Sequence, residues 1–130
     1  MTRGRKQVSE KASAEHDADV ALAARFDELL GGARSAEHDF RQAQAAHAPL
    51  LDQHALAVAL SAALTDAMRA AYAAERAEIG PRGYDDRIFR RKAKAKPAVH
   101  AWTDEAERLL TLRETHMLTG IPPLPRSYAA

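Results

Sequence analysis

The stretch Leu50–Ile79, LLDQHALAVALSAALTDAMRAAYAAERAEI, decides the fold of this chain. Large side chains recur within it at every fourth position, and alanines lie beside them. A four-residue repeat places side chains on one face of a helix, and small neighbours let another helix approach closely. The pattern predicts a long helix whose packing stripe forms either the core of the chain or a contact with another subunit. The residues of this stripe are Leu56, Leu60, Leu64, Met68 and Tyr72.

Signals for helix ends lie on both sides of this stretch. The run Gly80-Pro81-Arg82-Gly83 predicts the end of the long helix. Upstream, the pentapeptide Ser-Ala-Glu-His-Asp begins at Ser13 and again at Ser35. Each copy has the form of an N-cap followed by acidic residues, so two further helices are expected there. The pair Gly31-Gly32 predicts the end of the first of them.

The composition favours an all-α protein. Of 130 residues, thirty are alanine, the best helix former, whereas glycine and proline number six each. We therefore expect an antiparallel helical hairpin or bundle. The domain prediction is a flexible basic tail over 1–12, an alanine-rich bundle or oligomerisation region over 13–79, and a basic connector over 80–97. Residues 98–130 would hold a short helix, which begins at an N-cap at Thr103 and ends at Gly120, and a proline-rich arm.

The connector concentrates the positive charge of the chain. Residues 87–96, RIFRRKAKAK, carry six positive charges and no negative one. Pro81–His100 has seven Lys and Arg against two Asp, a net charge of +5, whereas residues 1–80 have nine against twelve, a net of −3. Such a strip attracts phosphates, and Phe89 and Tyr84 could stack on an unpaired base. The predicted nucleic-acid-binding residues are Arg87, Phe89, Arg90, Arg91, Lys92, Lys94 and Lys96.

Other interpretations of the same run stay open at this point. The connector could be a solvated linker, or its cations could pair with acids of the first two helices. An anionic membrane or an acidic protein partner is a further alternative.

The segment from Trp102 onward resembles a Myb/SANT-like helix-turn-helix. Trp102-Thr103 followed by acidic residues and leucines is similar to the start of the first helix of that family, and Arg126-Ser127 to the start of its recognition helix. The resemblance covers residues 102–130. It implies core positions at Trp102, Leu109 and Leu110 and DNA-proximal positions at Arg126 and Ser127.

Several classes of function find no support in the sequence. The chain has no cysteine, no glycine-rich phosphate loop, and neither a Gly-x-Ser-x-Gly nor a His-Glu-x-x-His motif. Of the six histidines, His47 and His54 could share a helical face, but neither has a second ligand at i+3 or i+4, and zinc sites need three or four convergent ligands. No metal, no cofactor and no catalytic residue is therefore expected. No apolar run approaches the ~20 residues that span a bilayer, so we expect no membrane partner and a cytoplasmic location.

Three functions fit these features. The first is a non-enzymatic, largely sequence-independent nucleic-acid-binding accessory protein that acts as a homo-oligomer. The alternative is a structural or assembly protein, for example a component of a virus particle, whose leucine–alanine stripe and terminal arms contact other subunits. The third is an adaptor or inhibitor that binds one protein partner through the Leu56–Tyr72 face.

Overall fold

Helices make up nearly all of the structure, a computed structural model that describes residues 8–124. Three helices of 14 to 30 residues are followed by two short ones and a fourth long one, which ends in a π-helical turn at His116–Gly120. The all-α prediction is confirmed. In chain order the helices are α1 (Glu10–Ala23), α2 (Phe26–Ala45), α3 (Leu50–Ile79), α4 (Arg82–Asp85), α5 (Arg87–Ala93) and α6 (Pro97–Thr115).

The α3 helix is the centre of the bundle. Its 30 residues give it a length of about 45 Å, and α1, α2 and α6 all pack against it. Helices α1 and α6 both run antiparallel to α3. Asp19 of α1 contacts Arg76 near the end of α3, whereas His116, just after α6, contacts Ala57 near the start of α3. The main core holds Phe26, Ala33, Phe40, Ala57, Leu60, Leu64, Ala67, Ala70, Ala71, Ala106 and Leu109.

The bounds of α3 agree with the sequence prediction, and its stripe faces inward. Leu60 and Leu64 are buried, and Leu56, Met68 and Tyr72 are partly buried against the same core. The face predicted as a contact for another subunit or a protein partner is therefore covered by the chain's own helices.

The two N-terminal helices differ from the prediction. The first begins at Glu10, because Ser9 and not Ser13 is the N-cap and its Oγ accepts a hydrogen bond from the amide of Ala12 at 3.0 Å. The helix breaks at Ala24-Arg25, and α2 then runs through Gly31-Gly32 and Ser35 without interruption. The predicted end at Gly31-Gly32 and the predicted starts at Ser13 and Ser35 are wrong.

The last helix begins earlier than predicted. It starts with Pro97 in its first turn, where proline is well tolerated, so Thr103 lies inside the helix and is not its N-cap. The Thr103 hydroxyl donates to the carboxylate of Glu75, which is buried, and thereby ties α6 to α3. The helical turn that follows α6 ends at Gly120, as predicted.

Candidate nucleic-acid interface

The basic connector folds back against the end of α3. Gly80 ends α3 with φ of +99°, a backbone conformation that favours glycine. Gly83 then lies so close to α3 that a Cβ atom on it would come within 2.5 Å of Ile79 Cγ2. A larger residue at position 83 would therefore force either the Ile79 side chain or α4 to shift. These two glycines place α4 and α5 beside the last turn of the central helix.

A polar cluster, the Asp19 clasp (Asp19, Arg76 and Tyr84), fixes α1 and α4 to the end of α3. The Arg76 guanidinium donates two hydrogen bonds to the Asp19 carboxylate, from Nε at 2.8 Å and from Nη2 at 3.1 Å. The Tyr84 hydroxyl donates a third hydrogen bond to the same carboxylate. Paired, charge-assisted bonds of this kind hold both partners in one orientation. Nearby, Asp85 accepts from the backbone amide of Ser9 at 2.9 Å and so also ties the start of α1 to α4.

The ionisation of these groups reflects the same contacts. Burial raises the pKa of Asp19, but the hydrogen bonds from Arg76 and Tyr84 and the positive charge of Arg76 outweigh it, so the pKa lies below its ordinary value of 3.8. Burial, together with the hydrogen bond to the Asp19 carboxylate, raises the pKa of Tyr84 well above its usual range. The clasp is therefore fully formed near neutral pH, with Asp19 ionised and Tyr84 protonated.

We expect Asp19→Asn to lower the free energy of unfolding by about 2 kcal/mol at neutral pH, because the charge-assisted bonds to Arg76 are lost. The folded-state pKa of Asp19 is lowered, so its contribution is complete above the ordinary value and is lost as the pH falls through the folded value. Urea unfolding at several pH values should show the gap between wild type and variant narrowing below about pH 4. The matched control is Asp39→Asn at an exposed position. A gap that stays constant down to low pH would contradict this assignment.

The inner side of α5 packs on the end of the bundle. Asp86 is the N-cap and accepts a hydrogen bond from the Phe89 amide at 2.9 Å. The Phe89 ring packs against a small second core of Ile79, Ala93 and Val99. The Arg82 guanidinium covers this ring at 4.5 Å from its centroid and forms an ion pair with Asp86 at 3.3 Å. Phe89 thus anchors α5 to α3 and α6.

Arg90 also belongs to the inner side. Its Nη1 donates to the carbonyl oxygen of Gly83 at 3.0 Å, and the side chain is half-buried. It lines a small cleft together with Arg76, Ile79 and Tyr84. Its contacts therefore hold α5 onto α4, and its guanidinium is not part of the exposed set.

The remaining five cations form the cationic face: Arg87, Arg91, Lys92, Lys94 and Lys96. All five residues are exposed, and among residues 8–124 no carboxylate forms an ion pair or a side-chain hydrogen bond with any of them. The first turn of α6, which follows directly, carries no acidic residue. The alternative in which these charges are neutralised by acids of the first two helices is not seen in the described structure.

The structure divides the predicted nucleic-acid-binding residues into two groups. Five of the seven lie on the cationic face, whereas Phe89 and Arg90 pack inward. Tyr84 also has internal partners, since its hydroxyl donates to Asp19 and its ring meets that of His16 edge-on at 6.1 Å. The Asp19 clasp was not foreseen from the sequence, because Asp19 lies 57 residues before Arg76 and no motif connects them.

Other surfaces of the described chain show fewer features of a functional site. An open groove of about 350 Å³ lies between α2 and α6, with Leu60, Leu64 and Leu112 among its lining residues. Residues 8–124 contain no group of three or more His, Asp or Glu side chains placed to hold a metal ion. None of the helices described is both long enough and apolar enough to cross a bilayer.

The positions implied by the Myb/SANT-like resemblance have mixed placements. Leu109 is buried in the main core, and Trp102 packs edge-on against Phe26 with ring centroids 5.2 Å apart. The Trp102-Thr103 pair lies within α6 and does not open it, and Arg126 and Ser127 lie outside the described residues. The resemblance stays a prediction. No protein-family model, curated protein sequence or solved structure matches this chain.

Proposed function

We propose that this protein binds nucleic acid through the cationic face of α5 and the turn that follows it, with little dependence on base sequence. The observation that carries the proposal is the group of five exposed cations within ten residues, without a carboxylate partner in the described structure. When exposed, unpaired cations bind phosphates, they release the counterions that were condensed on the nucleic acid. This release supplies most of the affinity of non-specific binding.

The attachment of α5 to the bundle supports this function further. Phe89 packs α5 against the second core at the end of α3, Arg90 bonds it to α4, and the Asp86 cap stabilises its first turn. The five charges are therefore presented from a fixed backbone. Arg87 and Arg91 are four residues apart and share one side of the helix, and Lys94 continues the same side by a further three. A helix that is already ordered loses less conformational entropy on binding than a flexible tail does.

The chemistry of the face argues against reading of individual bases. The helix has seven residues, and its exposed polar side chains are long cations that suit phosphate oxygens; its two exposed arginines can also contact guanine, so any base preference is limited to guanine. Asparagine and glutamine, which recognise adenine by paired hydrogen bonds, are absent from residues 80–100. We therefore expect similar affinity for unrelated sequences of equal length.

A salt titration tests the proposal. The full chain is titrated into a fluorescently labelled duplex of about 20 base pairs, and anisotropy is followed between about 50 and 200 mM NaCl. Five phosphate contacts predict a slope of about −4 to −5 for log K against log salt, with affinity falling several-hundred-fold, on the order of 500, over this range. The absence of binding at the lowest salt, or a slope near zero, would overturn the proposal.

The predicted oligomer is a separate matter. The Leu56–Tyr72 stripe packs in the chain's own core, with Leu60 and Leu64 buried and Leu56, Met68 and Tyr72 partly buried, so it lends no support to a homo-oligomer or to the assembly alternative. No observation favours the assembly function over nucleic-acid binding, and we do not propose it as a second function. The cationic face requires no second subunit to be complete.

A further inference from the structure

One apolar side chain projects from the cationic face. Ile88 is 68% exposed, although it lies in a helix whose other apolar residues, Phe89 and Ala93, pack inward. Arg91 and Lys92 follow it by three and four residues and so lie next to it on the helix surface, and Arg87 precedes it directly. An exposed isoleucine is therefore surrounded by groups that attract phosphates.

The positions of the aromatic residues of the connector indicate whether the face suits single-stranded or duplex nucleic acid. Binding to single strands relies on exposed aromatic faces on which successive bases stack. Phe89 is packed against the second core under the Arg82 guanidinium, and Tyr84 is held by Asp19. The face thus lacks a stacking platform and offers a branched aliphatic side chain in its place. Isoleucine is one of the residues that proteins insert between base steps from the minor groove of duplex DNA.

We infer that Ile88 is an apolar wedge that enters the minor groove of duplex DNA and kinks it, while the flanking cations bind the phosphates on either side. This inference rests on the proposed function and makes it more specific, because it selects duplex over single strands. A membrane surface fits the face less well, since stable insertion needs an apolar stripe of several residues and α5 exposes only Ile88.

Bending of a duplex labelled with a donor and an acceptor at its two ends tests the inference. The full wild-type chain should increase energy transfer, because a wedge bends the duplex by about 20–90° and brings its ends closer together. Ile88→Ala should abolish the increase and weaken binding about tenfold, while the salt slope stays unchanged because every phosphate contact remains. The matched control is Val58→Ala, which alters a 47% exposed apolar residue near the start of α3, at the opposite end of that helix from α5, and should behave as wild type.

The outcomes separate this inference from the proposed function. Equal bending by wild type and Ile88→Ala, or tighter binding to a single strand of the same length, would overturn the wedge while salt-dependent binding could still stand. Loss of all salt-dependent duplex binding in wild type would overturn both. Vesicles of phosphatidylglycerol form a further arm: vesicle binding that depends on Ile88, with no duplex binding, would assign the face to a membrane and overturn the wedge.

Discussion

Duplex binding should be abolished when all five residues of the cationic face are replaced by alanine in one variant. These residues are Arg87, Arg91, Lys92, Lys94 and Lys96. Each phosphate contact contributes about −0.9 to the slope of log K against log salt. At moderate salt, the loss of five such contacts therefore lowers the affinity by about a thousandfold or more. Arg90 is deliberately left in place, because its hydrogen bond to Gly83 holds α5 on α4. The affected residues are exposed and alanine favours helix, so the circular dichroism spectrum and the urea midpoint should match those of wild type.

A graded series gives this prediction more force. Single replacements of Arg87, Arg91 or Lys92 should each reduce the salt slope by about one and should do so equally for unrelated duplexes. Binding that survives the fivefold replacement with an unchanged slope would assign the affinity to another part of the chain.

Phe40→Ala should cause the largest loss of stability of any single replacement in the core. The Phe40 side chain is 1% exposed and packs edge-on against the ring of His116, with centroids 5.8 Å apart. Truncation removes buried apolar area and leaves a cavity between α2, α3 and the turn after α6, at a cost of about 3–5 kcal/mol. That is a large part of the 5–15 kcal/mol by which domains of this kind are usually stable, about a fifth or more.

Urea unfolding followed by circular dichroism measures this effect. Phe40→Leu, which retains most of the volume, should cost only about 1 kcal/mol, and Leu118→Ala at an 81% exposed position should stay within about 0.5 kcal/mol of wild type. A loss below about 1 kcal/mol for Phe40→Ala would mean that α2 does not contribute to the core as described.

The central helix could be predicted from sequence because its signals agree. The four-residue repeat, the alanines and the Gly80-Pro81 stop all point to the same element, and α3 has the predicted bounds. The glycines of α2 mislead for a physical reason. Gly31 and Gly32 each weaken the helix by about 1 kcal/mol, but burial of Phe26, Ala33 and Phe40 on both sides of them stabilises it by more.

The break between α1 and α2 has no counterpart in the sequence. Ala24 and Arg25 are both strong helix formers, so neither residue predicts a break. The position of α1, which precedes the break, is held by contacts with residues far along the chain, namely Asp19 with Arg76 and Ser9 with Asp85. Local propensity carries no information on such pairs.

Charge alone identifies the basic run, but it does not show which of its side chains face inward and which face solvent. Six cations in ten residues are visible in any helical or extended conformation. Only the positions of α3 and α4 show that Arg90 faces Gly83 and that Phe89 is enclosed by Ile79 and Val99. The exposed set is therefore smaller than the predicted set and lacks an exposed aromatic ring.

A comparison of two variants with the same net charge tests the binding claim most directly. One replaces the five residues of the cationic face with alanine, and the other replaces Lys11, Arg25, Arg34, Arg41 and Arg69, which are exposed elsewhere; each changes the formal charge from +1 to −4. In salt titrations with one duplex, the first variant should lose binding and the second should keep a slope of about −4 to −5. Equal affinity for the two variants would contradict a localised phosphate-binding face.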